Sequence, residues 1–120
     1  MWRVLVVTAS QAVLSATKRA LSDLGVSVTH VSSGALVYGV MDAIRFDAII
    51  YDLALGDGDL AGCWRMQPNA FLIVASDDLV NPLDYGAHYN LLKPLNPTVV
   101  TRAMIDAGLS SVLVSEHRQG

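Results

Sequence analysis

Phe46-Asp47-Ala48-Ile49-Ile50-Tyr51-Asp52-Leu53 is the stretch on which the reading of this chain turns. Its centre, residues 48–51, is continuously apolar, too short for a helix, and not alternating as a strand with one wet face would be. A strand covered on both faces reads this way. The aspartate that follows places a carboxylate at the carboxyl end of that strand. Working outward, residues 4–7, 71–74 and 89–92 have the same length and character. Residues 26–31, Val-Ser-Val-Thr-His-Val, alternate instead and suit an edge strand.

The segments between these runs carry helical spacing. Val13, Leu14, Thr17, Ala20, Leu21 and Leu24 share one face, with Ser10 as the N-cap and Gly25 as the left-handed stop. Residues 34–45 repeat the pattern with Leu36, Val37, Val40, Met41 and Ile44. The last helix opens with Asn96-Pro97, a capping side chain before a proline at the first helical position, and continues through Val100, Ala103, Met104, Ala107 and Val112. Gly108 inside it costs about 1 kcal/mol relative to alanine and marks a packing contact or an early end. The third and fourth connections leave only residues 60–68 and 77–86, room for short turns, the second started by Asn81-Pro82.

Strand and helix alternating in this way predict an α/β fold, a single doubly wound five-stranded parallel sheet with shortened third and fourth helices. The chain is too short to close a barrel. Ligands of such sheets sit beyond the carboxyl ends of the strands. Thr8, Ala9, Asp52, Ala75, Ser76 and Lys93 occupy those ends, and Asp52 and Lys93 are the charged pair among them.

At 120 residues one domain is expected, spanning residues 1–116, with residues 117–120 a polar tail that starts a linker to a further domain. Hydrophobic residues make up 52% and charged residues 16%, against about 25% charged in ordinary domains, so there is apolar surface to spare for a partner. Eight basic and eleven acidic residues, without runs, leave no footprint for a nucleic-acid backbone or an anionic membrane. Cys63, the single cysteine, excludes a disulfide framework and points to a reducing, cytoplasmic compartment. The first apolar run ends at Val7, too short for a secretory signal, and no run reaches membrane-spanning length.

With Asp52 ending the central strand, Gly86-Ala87 ahead of Lys93-Pro94, and a last helix opening just after that proline, the whole chain resembles the receiver domain of two-component response regulators. The resemblance implies a flavodoxin-like sheet in the order 2-1-3-4-5 and puts Asp52 at the phosphoacceptor position. Transfer from a phosphohistidine to such an aspartate brings dense negative charge together, and Mg²⁺ must bridge it with hard oxygen ligands. The family supplies these from an acidic pair after the first strand, where this chain has Thr8-Ala9. The hydroxyl residue ending the fourth strand aligns with Ala75, and Ser76, one position late, points elsewhere by alternation. The aromatic that precedes the lysine in the family is replaced by Asn90, with Tyr89 beside it.

These departures describe a degenerate pseudo-receiver: a signalling interaction module, not an enzyme, with no cofactor, no metal and no bound Mg²⁺. In it Lys93 serves to neutralise a buried Asp52. The resemblance also implies a docking and dimerisation face built from the fourth connection, fifth strand and last helix, here Asp84, Tyr85, Tyr89, Asn90, Arg102 and Asp106. Its occupant is a protein partner, an attached output domain or a second copy in a homodimer.

Two alternatives stay open. Asp52 is a working phosphoacceptor of a phosphorelay, with Asp57, Asp59, Asp77 or Asp78 lending a metal ligand. Or Thr8 and Ser10 line a flavodoxin-like flavin-phosphate loop, against which stands the absence of glycine after the first strand, an absence that also excludes nucleotide-binding fingerprints. Residues 56–62 superficially suggest a calcium loop, but the expected chelating glutamate is Pro68. His30, His88 and His117 lack zinc spacing, Cys63 reads as a small buried hydrophobe, and Trp2, Trp64 and Met66 read as packing residues, with Trp64 a contact anchor if exposed.

Overall fold

The computed structural model describes residues 2–22, 24–56 and 60–108. Strands β1 (Arg3–Val7), β2 (Ser27–Val31), β3 (Ala48–Asp52), β4 (Phe71–Ser76) and β5 (Tyr89–Leu92) form one parallel sheet in the order β2-β1-β3-β4-β5. Helices α1 (Gln11–Ser22), α2 (Val37–Ala43), α3 (Leu60–Met66) and α4 (Pro97–Asp106) cover it. The doubly wound five-stranded fold in the 2-1-3-4-5 order is therefore the observed one.

Strand alternation divides the core in two. Val4, Val6, Ala48, Ile50, Ile73, Ala75 and Leu91 meet Leu14 and Leu21 of α1 and Val100, Ala103 and Met104 of α4. Leu5, Val7, Ile49, Tyr51, Leu72 and Val74 meet Val37 and Met41 of α2 and Cys63 of α3. Every residue of β3 is buried, which is why its sequence does not alternate. At the edge, β2 is less covered: Ser27, Val28 and Thr29 are half-buried, His30 is exposed and Val31 is buried.

The caps fall where the sequence places them. Ser10 Oγ accepts the Val13 N–H at 3.3 Å, and Asn96 Oδ1 accepts the Val99 N–H at 3.0 Å with Pro97 next. Gly25 follows α1 at φ 69°, a conformation closed to most side chains. The last helix takes the early end that Gly108 offers, stopping at Asp106; Val112 and the tail at 117–120 lie outside the described residues. So do Asp57, Asp59, His117 and the side chain of Trp64.

Two connections differ in detail from expectation. In place of a helix over residues 34–45, a 3-10 turn (Gly34–Leu36) leads into α2, and Ile44 is already extended. The cause lies across the fold at Gln67. Its Nε2 donates to Met41 O at 2.9 Å and Ile44 O at 2.7 Å, and its Oε1 accepts the Phe46 N–H at 2.8 Å. A buried side chain thus satisfies the backbone where α2 stops and the chain enters β3. The fourth connection has no α-helix, only a 3-10 turn (Pro82–Tyr85) capped by Asn81 and closed by Gly86 at φ 69°. Among the described residues no helix is long and apolar enough to cross a membrane.

Candidate functional site

Asp52 is the last residue of β3, paired in register with Ala75. Thr8 lies one residue beyond β1 and Lys93 one beyond β5. By alternation all three side chains leave the sheet on the α1/α4 side, the side of Val6, Ile50 and Leu91. Three strand ends thereby bring one carboxylate, one hydroxyl and one ammonium together.

The Asp52 side chain is only 3% exposed, and both its oxygens are taken. Oδ1 receives Lys93 Nζ at 2.6 Å and the Ala54 N–H at 3.0 Å. Oδ2 receives the Thr8 hydroxyl at 2.7 Å. That hydroxyl in turn accepts the Ser10 N–H at 3.0 Å, so its own proton is committed to the carboxylate. The Thr8 backbone is fixed as well: its N–H donates to Val31 O at 3.1 Å, and its carbonyl accepts from His30 Nε2 at 2.8 Å. Because a carbonyl only accepts, Nε2 of His30 carries a hydrogen.

Burial pushes the Asp52 carboxyl up. The hydrogen bonds from Lys93, Thr8 and Ala54, with the Lys93 charge, outweigh that and hold its pKa below the ordinary 3.8. Asp52 is therefore ionised at neutral pH, and Lys93 balances it.

The donor set does not fit Mg²⁺. That ion dehydrates reluctantly and takes charged oxygens, whereas the turn after β1 offers a hydroxyl already spent on Asp52 and the exposed methyl of Ala9. Among the described residues, no group of three or more His, Cys, Asp or Glu side chains is placed to hold a metal ion.

Of the other residues singled out in the sequence, Ala75 stands beside Asp52, while Ser76 and Asn90 do not. Both belong to the α2/α3 side and hydrogen-bond each other at 2.9 Å. Tyr89, Arg102 and Asp106 converge at the β5–α4 border. Burial, with the nearby Asp106 carboxylate, raises the Tyr89 pKa above the usual 10.0 despite Arg102. Arg102 Nε lies 3.8 Å from Asp106 Oδ1. Asp84 and Tyr85 are exposed on the 3-10 turn. Beside the cluster a groove of about 530 Å³ runs along α4 past Pro97, Val99, Arg102 and Ile105. Leu92 and Ile105 nearby are 49% and 45% exposed, and Leu83 on the turn 76%.

Sequence reasoning missed His30 and Gln67. The position of His30 near the end of an edge strand was a usable signal, since from there a side chain can reach the neighbouring strand's exit. Gln67 gives none, because its partners come from α2 and the entry to β3.

No protein-family model matches the chain, and no curated protein does. Solved structures of response regulators are similar to it. The chemotaxis response regulator CheY4 of Vibrio cholerae aligns with a TM-score of 0.77 at 22% identity, over 89% of this chain and 98% of that one. A response regulator from Thermotoga maritima gives 0.80 at 20% identity, over 89% and 97%. A CheY-like receiver domain protein from Methanospirillum hungatei gives 0.77 at 20% identity, over 100% and 99%. At such identities the likeness is one of architecture, and it agrees with the strand order: this chain has the receiver fold of the response regulators.

Proposed function

We propose that the domain is a cytoplasmic signalling module that works by binding protein, without catalysing a reaction and without Mg²⁺-dependent phosphorylation of Asp52. The observation that carries this reading is the turn after β1, where Thr8, bound to Asp52 Oδ2, and the exposed Ala9 offer no carboxylate to anchor Mg²⁺ beside a phosphoryl group. Asp52 and Lys93 then act as a structural pair that lets β3 end inside the fold. Binding falls to the β5–α4 border, where Tyr89, Arg102 and Asp106 are rimmed by exposed Leu92 and Ile105, a mix of aromatic, arginine and apolar surface typical of contact sites.

The test is a two-dimensional amide NMR titration with Mg²⁺ and then beryllofluoride, which mimics an aspartyl phosphate, on wild type and Asp52→Asn. The expected spectra are unchanged at millimolar Mg²⁺ with or without beryllofluoride. Shifts confined to wild type and centred on Thr8, Asp52, Ala75 and Lys93 would instead establish the phosphoacceptor reading, which the ionised state of Asp52 favours.

For the binding face the measurement is sedimentation of wild type against Tyr89→Ala/Arg102→Glu. If the partner is a second copy, the concentration-dependent rise in mass is lost in the double variant. An unchanged rise would remove this face as the interface.

A further inference from the structure

The connection between β4 and β5 lacks an α-helix, yet its first residues are held by side chains. Ser76 Oγ donates to Asp78 O at 2.6 Å and accepts from Asn90 Nδ2 at 2.9 Å. The same Nδ2 donates to Val74 O at 3.2 Å and lies 3.4 Å from Leu91 O. Asn90 Oδ1 accepts the Val80 N–H at 3.2 Å, and Val80 packs against the α2/α3-side cluster. One amide thus ties β4, β5 and the loop together, using its donors and its acceptor at once.

The position of this network relative to Asp52 matters more than its existence. Asn90 is paired with Val74 and shares its side of the sheet, whereas Asp52 is paired with Ala75, which belongs to the other side. Ala75, the β4 residue paired with Asp52, offers the carboxylate a methyl group with no hydrogen-bonding atom. Lys93 N–H does bond Ser76 O at 2.8 Å, but that is a rung of the β4–β5 ladder, set by the sheet and not by the Lys93 ammonium. Among the described residues, no side-chain hydrogen bond joins Asp52, Thr8 or Lys93 to residues 77–81.

We propose that Asn90 and Ser76 form a latch that fixes the shape of residues 77–81 independently of the state of Asp52. The loop then displays Leu79, 81% exposed, in one arrangement whether Asp52 is paired, protonated or modified. This goes beyond the preceding proposal, because it concerns the loop and holds even for an Asp52 that accepts a phosphoryl group.

Amide hydrogen exchange read by NMR on the full chain tests it, with wild type, Asp52→Asn, Asn90→Ala and Ser76→Ala. In Asn90→Ala the Val80 amide is expected to exchange about tenfold faster, the loss of one hydrogen bond of ordinary strength. Amide signals of residues 77–81 move in both Asn90→Ala and Ser76→Ala. In Asp52→Asn the signals of Thr8 and Ala54 move while Val80 keeps its rate within about twofold, below the effect of one such bond. Continued protection of Ile50 and Ile73 shows that each variant is folded, and should Asn90→Ala fail that check, Ser76→Ala carries the test. Acceleration of Val80 in Asp52→Asn equal to that in the latch variants would overturn the proposal. So would an unchanged loop in the folded latch variants. A beryllofluoride response with Val80 still protected overturns the preceding reading alone and supports the latch.

Discussion

Lys93→Met is expected to destabilise the fold by about 3 kcal/mol at neutral pH, because it leaves a buried carboxylate with only the Thr8 hydroxyl and the Ala54 N–H to hold it. The magnitude comes from the stranded charge, since the pair itself gains little over a well-packed apolar group. The triple variant Thr8→Val/Asp52→Leu/Lys93→Met, which removes charge and hydroxyl together, is therefore expected to be more stable than Lys93→Met but to stay below wild type, because the Ser10 and Ala54 N–H groups lose their acceptors. Urea denaturation of the three proteins measures this.

The pH dependence has a definite sign. The folded-state pKa of Asp52 lies below 3.8, so its contribution to stability is fully present above that value and is lost as pH falls through the lower folded value. Wild type thus loses stability on acidification below about pH 4. In Lys93→Met the same acidification neutralises the stranded carboxylate, so the gap between the two proteins narrows. A gap that stayed constant with pH, or never exceeded about 1 kcal/mol, would place the pair among solvated surface bridges.

Gln67→Leu is the second large effect, and its direction runs against hydrophobicity. Leucine in a buried position ordinarily favours folding. Here it strands the Met41 and Ile44 carbonyls and the Phe46 N–H, each at about 1–3 kcal/mol when unsatisfied. Because Ile44 is half-buried and water can reach part of the gap, the expected total is about 3 kcal/mol, a fall in Tm on the order of 10 °C for a domain of this size. A loss under about 1 kcal/mol would mean that water replaces the amide at all three groups.

The fold was legible because burial on both sides of a sheet leaves a mark that local patterns do not blur. Ala48-Ile49-Ile50-Tyr51 is continuous since β3 is covered on both faces, while β2, at the edge, is mostly half-buried and carries Val26 and Val28 on one side of the sheet and Val31 on the other. Ser10, Gly25 and Asn96-Pro97 were legible for a different reason, as their effects act within one turn of chain. The gathering of Thr8, Asp52 and Lys93 followed from parallel topology alone, which sends every strand exit to the same end. The end of α2, the His30 contact to Thr8 and the inward turn of the Asn90 amide were not legible. Each depends on a partner far along the chain and on the register between strands, and neither is written in local spacing.

The packing of α4 against α1 and β1 has a consequence for synthesis. β1 and α1 leave the ribosome before the rest of the domain, with Val4, Val6, Leu14 and Leu21 ready to cluster, but Val100, Ala103 and Met104, which close that cluster, follow only after β3, β4 and β5. At about 5–20 residues per second the apolar layer stays open for several seconds while β3, β4 and β5 are added. A chain halted before α4 would present that layer to chaperones or to other nascent chains, so the last helix decides when this domain first becomes safe to release.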